Sequence, residues 1–145
     1  MNAVREFHWR HVVTFDETNL VGNVYFAQFL HWQGHCREMF LARHAPGVLK
    51  ELSSGGLVLA TRSCSMEFFG ECFAFDEIVI AMTLRERWDS ALRMGFDFRR
   101  DDRLVARGEQ TVAALRRVGS GVEPVAVPEE LVAALAPYEV TRRAT

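Results

Sequence analysis

TFDETNLVGNVYFAQFLHWQGHCREMFLARH, residues 14–44, decides the fold. The stretch opens with a loop of polar and turn-forming residues, Asp16 to Asn23, and runs into a helical pattern that no Pro interrupts. At 3.6 residues per turn, Tyr25, Phe26, Phe29, Leu30, Trp32, Cys36, Met39, Phe40 and Leu41 share one broad arc, with Gln28, His31, His35 and Glu38 opposite. Gln33 and Arg37 break the pattern by falling inside the apolar arc. A guanidinium on a buried face is costly unless it is paired or put to use. Burial alone leaves two readings of Arg37 open, a snorkelling or ion-paired core arginine and a functional cation. Asp16 and Glu17 are assigned to the loop and the helix entrance.

Outside this stretch the chain reads mostly as strand. Residues 6–15 mix aromatics and Val, a first strand. Residues 45–56 carry Pro46, Gly47, Ser53, Ser54, Gly55 and Gly56, which predicts a loop with a short helical turn. From Leu57 to Phe68 the sequence alternates, with Val58, Ala60, Cys64, Met66 and Phe68 on one face and Thr61, Ser63, Ser65 and Glu67 on the other. Two further runs put Ile78, Ile80, Met82 and Leu84, then Leu92, Met94, Phe96 and Phe98, on one side of a sheet. A last strand over residues 104–117 ends at Gly119, Ser120 and Gly121, and Pro128 stands at the first position of a small terminal helix. One long helix covers one face of such a sheet, so the strands wrap around it and the charged far face meets water or another subunit.

The length, 145 residues, fits one domain spanning 1–145 that buries a core without disulfides or metal. A net charge of −2 gives no electrostatic reason to expect nucleic acid, and the Arg pairs Arg99/Arg100, Arg116/Arg117 and Arg142/Arg143 alternate with acidic residues as solvated surface. No apolar run approaches the ~20 residues of a membrane span, and the N-terminus lacks a signal peptide's apolar core, which predicts a cytoplasmic protein. Cys36, Cys64 and Cys72 lack CxxC spacing and read as reduced thiols. His31 and His35 have the i, i+4 spacing of a helical zinc site, but Trp32 stands where Glu is needed and no third ligand is evident, so no metal is expected.

Asn19-Leu20-Val21-Gly22-Asn23-Val24-Tyr25-Phe26, followed by Phe29, Trp32, Cys36 and Arg37, resembles the signature of hot-dog thioesterases: D-x-x-G-x-V-[YFW]-Y, then Y-x-x-[YW] and a small residue before Arg. The element order resembles that fold along nearly the whole chain. FDETNLVGNVYF with WQGHCREMF behind it is similar more narrowly to the thioesterases that accompany enediyne polyketide synthases. The resemblance implies an α+β hot-dog fold, a five-stranded antiparallel sheet wrapped around one long central helix, of the 4-hydroxybenzoyl-CoA thioesterase-like superfamily. It implies a thioester hydrolase acting on an acyl-ACP or acyl-CoA, with the acyl group carried on phosphopantetheine and no cofactor of its own. The implied partners are the acyl carrier domain of a polyketide synthase and further copies of the chain in a dimer of dimers.

One position departs from the wider family. Many hot-dog thioesterases carry an Asp where this chain has Asn19, and an amide cannot act as general base or as an ordinary carboxylate nucleophile. The enediyne group lacks that acidic residue as well. Asn19 is left to orient the thioester carbonyl or the attacking water, and Arg37 supplies a fixed positive charge. The first N–H groups of the helix are unsatisfied and lie at the positive end of its dipole, and Gly22 lets a substrate approach the backbone. By resemblance the Phe26 amide, with Tyr25 beside it, is the oxyanion donor. Gly22, Tyr25, Phe29, Gln33, Thr61 and Glu67 are the substrate-binding candidates; Glu67 reads either as a hidden general base or as a solvated strand residue. Phe26 and Arg37 are eleven residues apart, ~16 Å of helix axis, which predicts that the Arg37 working with Asn19 comes from a second subunit.

The apolar residues around Gln33 and Arg37 suit a long unsaturated acyl chain, which by resemblance is a polyene β-ketoacyl group whose released β-keto acid loses carbon dioxide readily. A general acyl-CoA thioesterase and a non-catalytic acyl-binding module are the rival readings. A hot-dog dehydratase would need a His with an acidic partner at the head of the helix, and Asn19 to Phe26 contains neither.

Overall fold

The computed structural model describes residues 4–140; the Arg142/Arg143 pair and the outermost residues of the span expected to be one domain, 1–145, lie outside them. In chain order the elements are β1 (Phe7–Val12), a 3-10 turn (Phe15–Glu17), α1 (Ala27–His44), α2 (Pro46–Ser54), β2 (Leu57–Phe68), β3 (Glu77–Arg87), β4 (Ala91–Arg100), β5 (Arg103–Val118), β6 (Gly121–Pro124), α3 (Glu129–Leu135) and a second 3-10 turn (Ala136–Tyr138). All neighbouring strands pair antiparallel in the order β1-β3-β4-β5-β2, with β6 extending the sheet beside β5. The sheet curls and α1 packs against its concave face, the α+β hot-dog arrangement.

The inner face follows the period-2 pattern. Ile78, Ile80, Met82 and Leu84 of β3 and Leu92, Met94, Phe96 and Phe98 of β4 are all buried against the helix. Burying each such side chain contributes roughly 1.5–3 kcal/mol relative to leaving it in water. Opposite them, α1 buries Phe29, Trp32, Gln33, Cys36, Phe40 and Leu41. The inner row of β5, in register with β4, is Ala106, Gly108, Gln110 and Val112. Its small members let the helix come close: a Cβ on Gly108 would overlap Gln33 Oε1 and the Met66 methyl. The outer face carries ion pairs, Arg99 with Glu6 and Asp97, Arg107 with Asp97, and Arg93 with Glu86.

Four expectations are corrected. Within residues 45–56 a nine-residue helix, α2, runs from Pro46 to Ser54, because Pro46 presets φ at the first helical position and Gly55 closes it in the left-handed region at φ 84°. Glu130 of α3 caps it across space, accepting the Val48 N–H at 2.7 Å and the Gly47 N–H at 3.3 Å. Beyond Gly119 the chain turns back as β6, a short strand that the glycine-rich end concealed. Tyr25 and Phe26, placed on the apolar arc, precede the helix proper and are 45% and 56% exposed.

The fourth correction bears on function. β2 has a bulge between Thr61 and Ser63, where Arg62 is an extra residue against Val112 and Thr111 of β5. One extra residue reverses which side chains face inward beyond it. Thr61 pairs with Val112 and Cys64 with Gln110, so Thr61 shares the inner face with Cys64, Met66 and Phe68, while Ser63, Ser65 and Glu67 point outward. The uninterrupted alternation had put Thr61 with Glu67.

Candidate active site

Two clusters of polar groups lie along the long helix, one at its head and one at its middle. At the head, Asn19 closes a tight loop. Its N–H donates to Asn23 O at 2.7 Å and its carbonyl accepts the Gly22 N–H at 2.8 Å, while an antiparallel bridge between Thr18 and Val24 holds the base of the loop. The side chains close it a second time, Asn19 Nδ2 donating to Asn23 Oδ1 at 3.2 Å. Gly22 sits at φ +96° with nothing within 4 Å of an added Cβ, so backbone conformation, not crowding, selects glycine there.

Beneath the loop is Glu17, only 8% exposed. Its carboxylate accepts Trp32 Nε1–H at 2.6 Å, His11 Nε2 at 2.8 Å and the Thr14 N–H at 3.0 Å. Burial pushes this carboxyl up, but the bonds from Thr14, Trp32 and His11 outweigh it and hold the group below the ordinary carboxylate range. It is an anion whose lone pairs are occupied, which makes it a fastener between β1, the loop and α1 and a poor proton acceptor.

The two candidate oxyanion amides differ. Tyr25 gives its N–H to Glu17 O at 3.0 Å, whereas the Phe26 N–H meets no acceptor among the described residues. Phe26 is the N-cap, already in helical conformation and without a side-chain cap, so its amide points outward at the positive end of an 18-residue helix. Exposed rings lie beside it, with the Tyr25 and Phe68 ring centroids 4.7 and 6.4 Å from that of Phe26, and Leu20, Val21 and Phe69 are exposed as well.

At the middle of α1, Arg37 is half-buried. One nitrogen, Nη1, donates to Gln110 Oε1 at 2.8 Å and reaches Thr61 Oγ1 at 3.4 Å, while Nε is buried without a partner among the described residues. Burial lowers its pKa, with Glu38 opposing, but an arginine stays charged in a protein. No carboxylate among the described residues forms an ion pair with it, so the ion-paired form of the core-arginine reading does not describe this cation; Glu38 acts on it only through its charge. Gln33, fully buried one turn earlier, has a long 3.5 Å bond to Glu109 O, and its Oε1 has no partner among the described residues. The cavity beside Arg37, lined by Leu59, Met94 and Leu135 among others, holds only about 10 Å³, so one chain by itself offers an acyl group no channel there.

The structure therefore brings Asn19, Gly22, Tyr25 and Phe26 together at the helix head, and Gln33, Arg37 and Thr61 together at its middle. Phe29 is buried between them, packed on Trp32, Phe68 and Phe98. Glu67 joins neither group. It lies on the outer face in a charged depression of about 340 Å³ with Asp97, Arg107 and Glu109, across the sheet from Arg37. Within one chain Glu67 stands apart from Asn19, Phe26 and Arg37, as a solvated strand residue does. The sequence reading missed Gln110, which fixes Arg37; the signal was a lone amide in an inward row of small residues. It also missed Glu71, whose Oε1 accepts Asn23 Nδ2 at 3.3 Å. His31 and His35 are exposed and meet edge to face, centroids 4.5 Å apart. Cys36 packs in the core, its thiol pushed up to about 12 by burial.

A family model described as the thioesterase-like superfamily matches residues 13–135. The dynemicin thioesterase, solved in a study of induced-fit and allosteric effects upon polyene binding, is similar at 54% identity over 95% of this chain and 100% of that one, with a TM-score of 0.90. Two more distant structures share the fold. A 1,4-dihydroxy-2-naphthoyl-CoA thioesterase from Synechocystis has 19% identity over 91% of this chain and 96% of its own, TM-score 0.83. A mutant 4-hydroxybenzoyl-CoA thioesterase complexed with 4-hydroxybenzoyl-CoA has 16% identity over 90% and 99%, TM-score 0.77. Comparison with curated proteins gave no match.

Proposed function

Because the chain belongs to the thioesterase-like superfamily and is a thioester hydrolase, we propose that it releases a polyene β-ketoacyl chain from the phosphopantetheine arm of an enediyne polyketide synthase's carrier domain. The 54% identity to the dynemicin thioesterase supports this substrate class. So do the exposed aromatic rings beside Phe26, which suit a flat unsaturated chain. The observation that carries the mechanism is the pairing of an unengaged Phe26 N–H with an Asn19 amide anchored on Asn23, with no available carboxylate beside them among the described residues.

A thioester is already activated toward water, so catalysis needs position and charge more than proton abstraction. The carbonyl oxygen sits against the Phe26 N–H, where the helix dipole stabilises the tetrahedral oxyanion. Asn19 holds the attacking water, and Arg37 adds a fixed cation to the developing negative charge. The thiol leaves on the carrier's phosphopantetheine, and the released β-keto acid decarboxylates readily.

This site is completed by a second copy of the chain. β2 is a twelve-residue edge strand with both faces largely exposed, the kind of edge that folded proteins cover. Antiparallel pairing of the exposed stretches of two such strands, residues 61–68, about a two-fold axis between Cys64 and Ser65 sets the Phe68 end of one beside the Thr61 region of the other. The Phe68 end adjoins the helix head and Thr61 adjoins Arg37. The partner's Arg37 thus approaches this chain's Phe26 and Asn19, which its own Arg37 does not reach along the helix.

Turnover of carrier-bound polyene by substoichiometric protein tests the reading. Many chains released per protomer, faster than from simple acyl-CoA, are expected. One release or none supports an acyl-binding module, and equal rates on acyl-CoA support a general thioesterase.

A further inference from the structure

The Asn19 amide has a defined polarity, and the group that defines it lies two hydrogen bonds away. Asn19 Nδ2 donates to Asn23 Oδ1 at 3.2 Å, and Asn23 Nδ2 donates to Glu71 Oε1 at 3.3 Å. A carboxylate can only accept. Asn23 must therefore turn its NH2 toward Glu71 and its oxygen toward Asn19. Asn19 must then offer its NH2 to Asn23, which leaves Asn19 Oδ1 as the free end of the chain. Each amide has two ends of nearly equal shape, and the network alone decides which way it faces.

The backbone holds this relay in register. Asn23 forms an antiparallel bridge with Phe73, and the Val24 N–H donates to Cys72 O at 2.8 Å. Arg100 of β4 binds the backbone carbonyl of Glu71, and at 3.2 Å the carboxylate of Asp76. The guanidinium thus fixes the Glu71 segment without occupying the Glu71 side chain.

We propose that Glu71 and Asn23 are positioning residues that lock Asn19 with its carbonyl oxygen toward the reacting centre, so that Asn19 accepts a hydrogen bond from the attacking water and does not donate to the thioester carbonyl. This rests on the reading of Asn19 given above. It gives the protein a carboxylate that serves hydrolysis without touching the substrate. Asn19 Oδ1 orients the water with a lone pair toward the carbonyl carbon, while the oxyanion is left to the Phe26 N–H and the cation.

Reversing the end group tests the relay. Glu71→Lys replaces an acceptor by a pure donor at an exposed position, so both amides invert and Asn19 presents NH2 to the water. The kcat on a carrier-bound or N-acetylcysteamine polyene thioester is expected to fall about tenfold or more, the scale of a charge-assisted hydrogen bond, with KM within about twofold. Glu71→Gln, which can face either way, is expected to lose only about twofold. Adding Asn23→Asp to Glu71→Lys places an acceptor next to Asn19 again and is expected to bring kcat back to within about threefold of wild type. Unchanged kcat in Glu71→Lys, or a double variant no better than the single one, overturns the proposal. Asn19→Ala run in parallel separates the two ideas: full activity there refutes the role of Asn19 itself, whereas an inactive Asn19→Ala with an indifferent Glu71→Lys refutes only the relay.

Discussion

Glu17→Gln tests how the loop that carries Asn19 is held. In the native protein Glu17 Oε1 accepts the Thr14 N–H at 3.0 Å and Oε2 accepts Trp32 Nε1–H at 2.6 Å, while His11 Nε2 lies 2.8 and 3.0 Å from the two oxygens. The Thr14 and Trp32 donors are fixed N–H groups that cannot turn into acceptors. Glutamine keeps one carbonyl oxygen, so whichever way it faces, its NH2 opposes one of them. The loss is a hydrogen bond to a charged acceptor plus a buried unpaired donor, about 3 kcal/mol together. For a chain of this length that is a fall in Tm of roughly 6–12 °C. Urea and thermal unfolding at fixed protomer concentration measure it. The pH dependence gives a second readout. Because the folded-state pKa of Glu17 lies below its unfolded value, its stabilisation is complete above the unfolded pKa of about 4.3 and is lost as pH falls through the folded value. Glu17→Gln should therefore narrow the stability gap between neutral and acid pH. A variant within about 0.5 kcal/mol of wild type at pH 7 would refute the view of Glu17 as a fully engaged acceptor.

Other consequences follow from single contacts. Gln33→Met removes an Oε1 buried without a partner among the described residues at nearly constant volume, and urea unfolding should show a gain of about 1 kcal/mol. Gly108→Ala pushes a methyl into Gln33, Met66 and the Ser65 carbonyl and should cost about 2 kcal/mol by the same measurement; Gly95→Ala, which meets only the Arg85 side chain, should cost less than half of that. In steady-state kinetics Arg37→Ala should lower kcat by roughly 100-fold, and Arg37→Lys should recover little of it because an ammonium lacks the planar fork. Glu67→Gln, on the outer face, should leave kcat within about twofold.

Much of this architecture is written in local pattern. The inward rows of β3 and β4 follow from strict alternation, and the long helix from its periodicity. The face of Thr61 could not be read this way, because a bulge shows itself only in the pairing with another strand. The helix over 46–54 was masked by Pro, Gly and Ser, although Pro46 and Gly55 are where a helix uses those residues. At the site, Arg37 stood out as a charge inside an apolar arc, whereas Asn19 was picked out by the resemblance, as the position where many hot-dog thioesterases carry Asp. Gln110, Asn23 and Glu71 did not, since their roles depend on contacts between segments 48 to 73 residues apart in sequence.

Mixing two inactive variants tests the central claim, that Asn19 of one subunit works with Arg37 of another. Asn19→Ala and Arg37→Ala chains, each inactive alone, are co-expressed with different tags, and the turnover of the mixed population is measured. Random pairing makes half of the dimers mixed, and each mixed dimer regains one of its two sites, so about a quarter of wild-type activity is expected. Activity no higher than that of the separate variants would place both residues of each working site on the same chain and contradict the account.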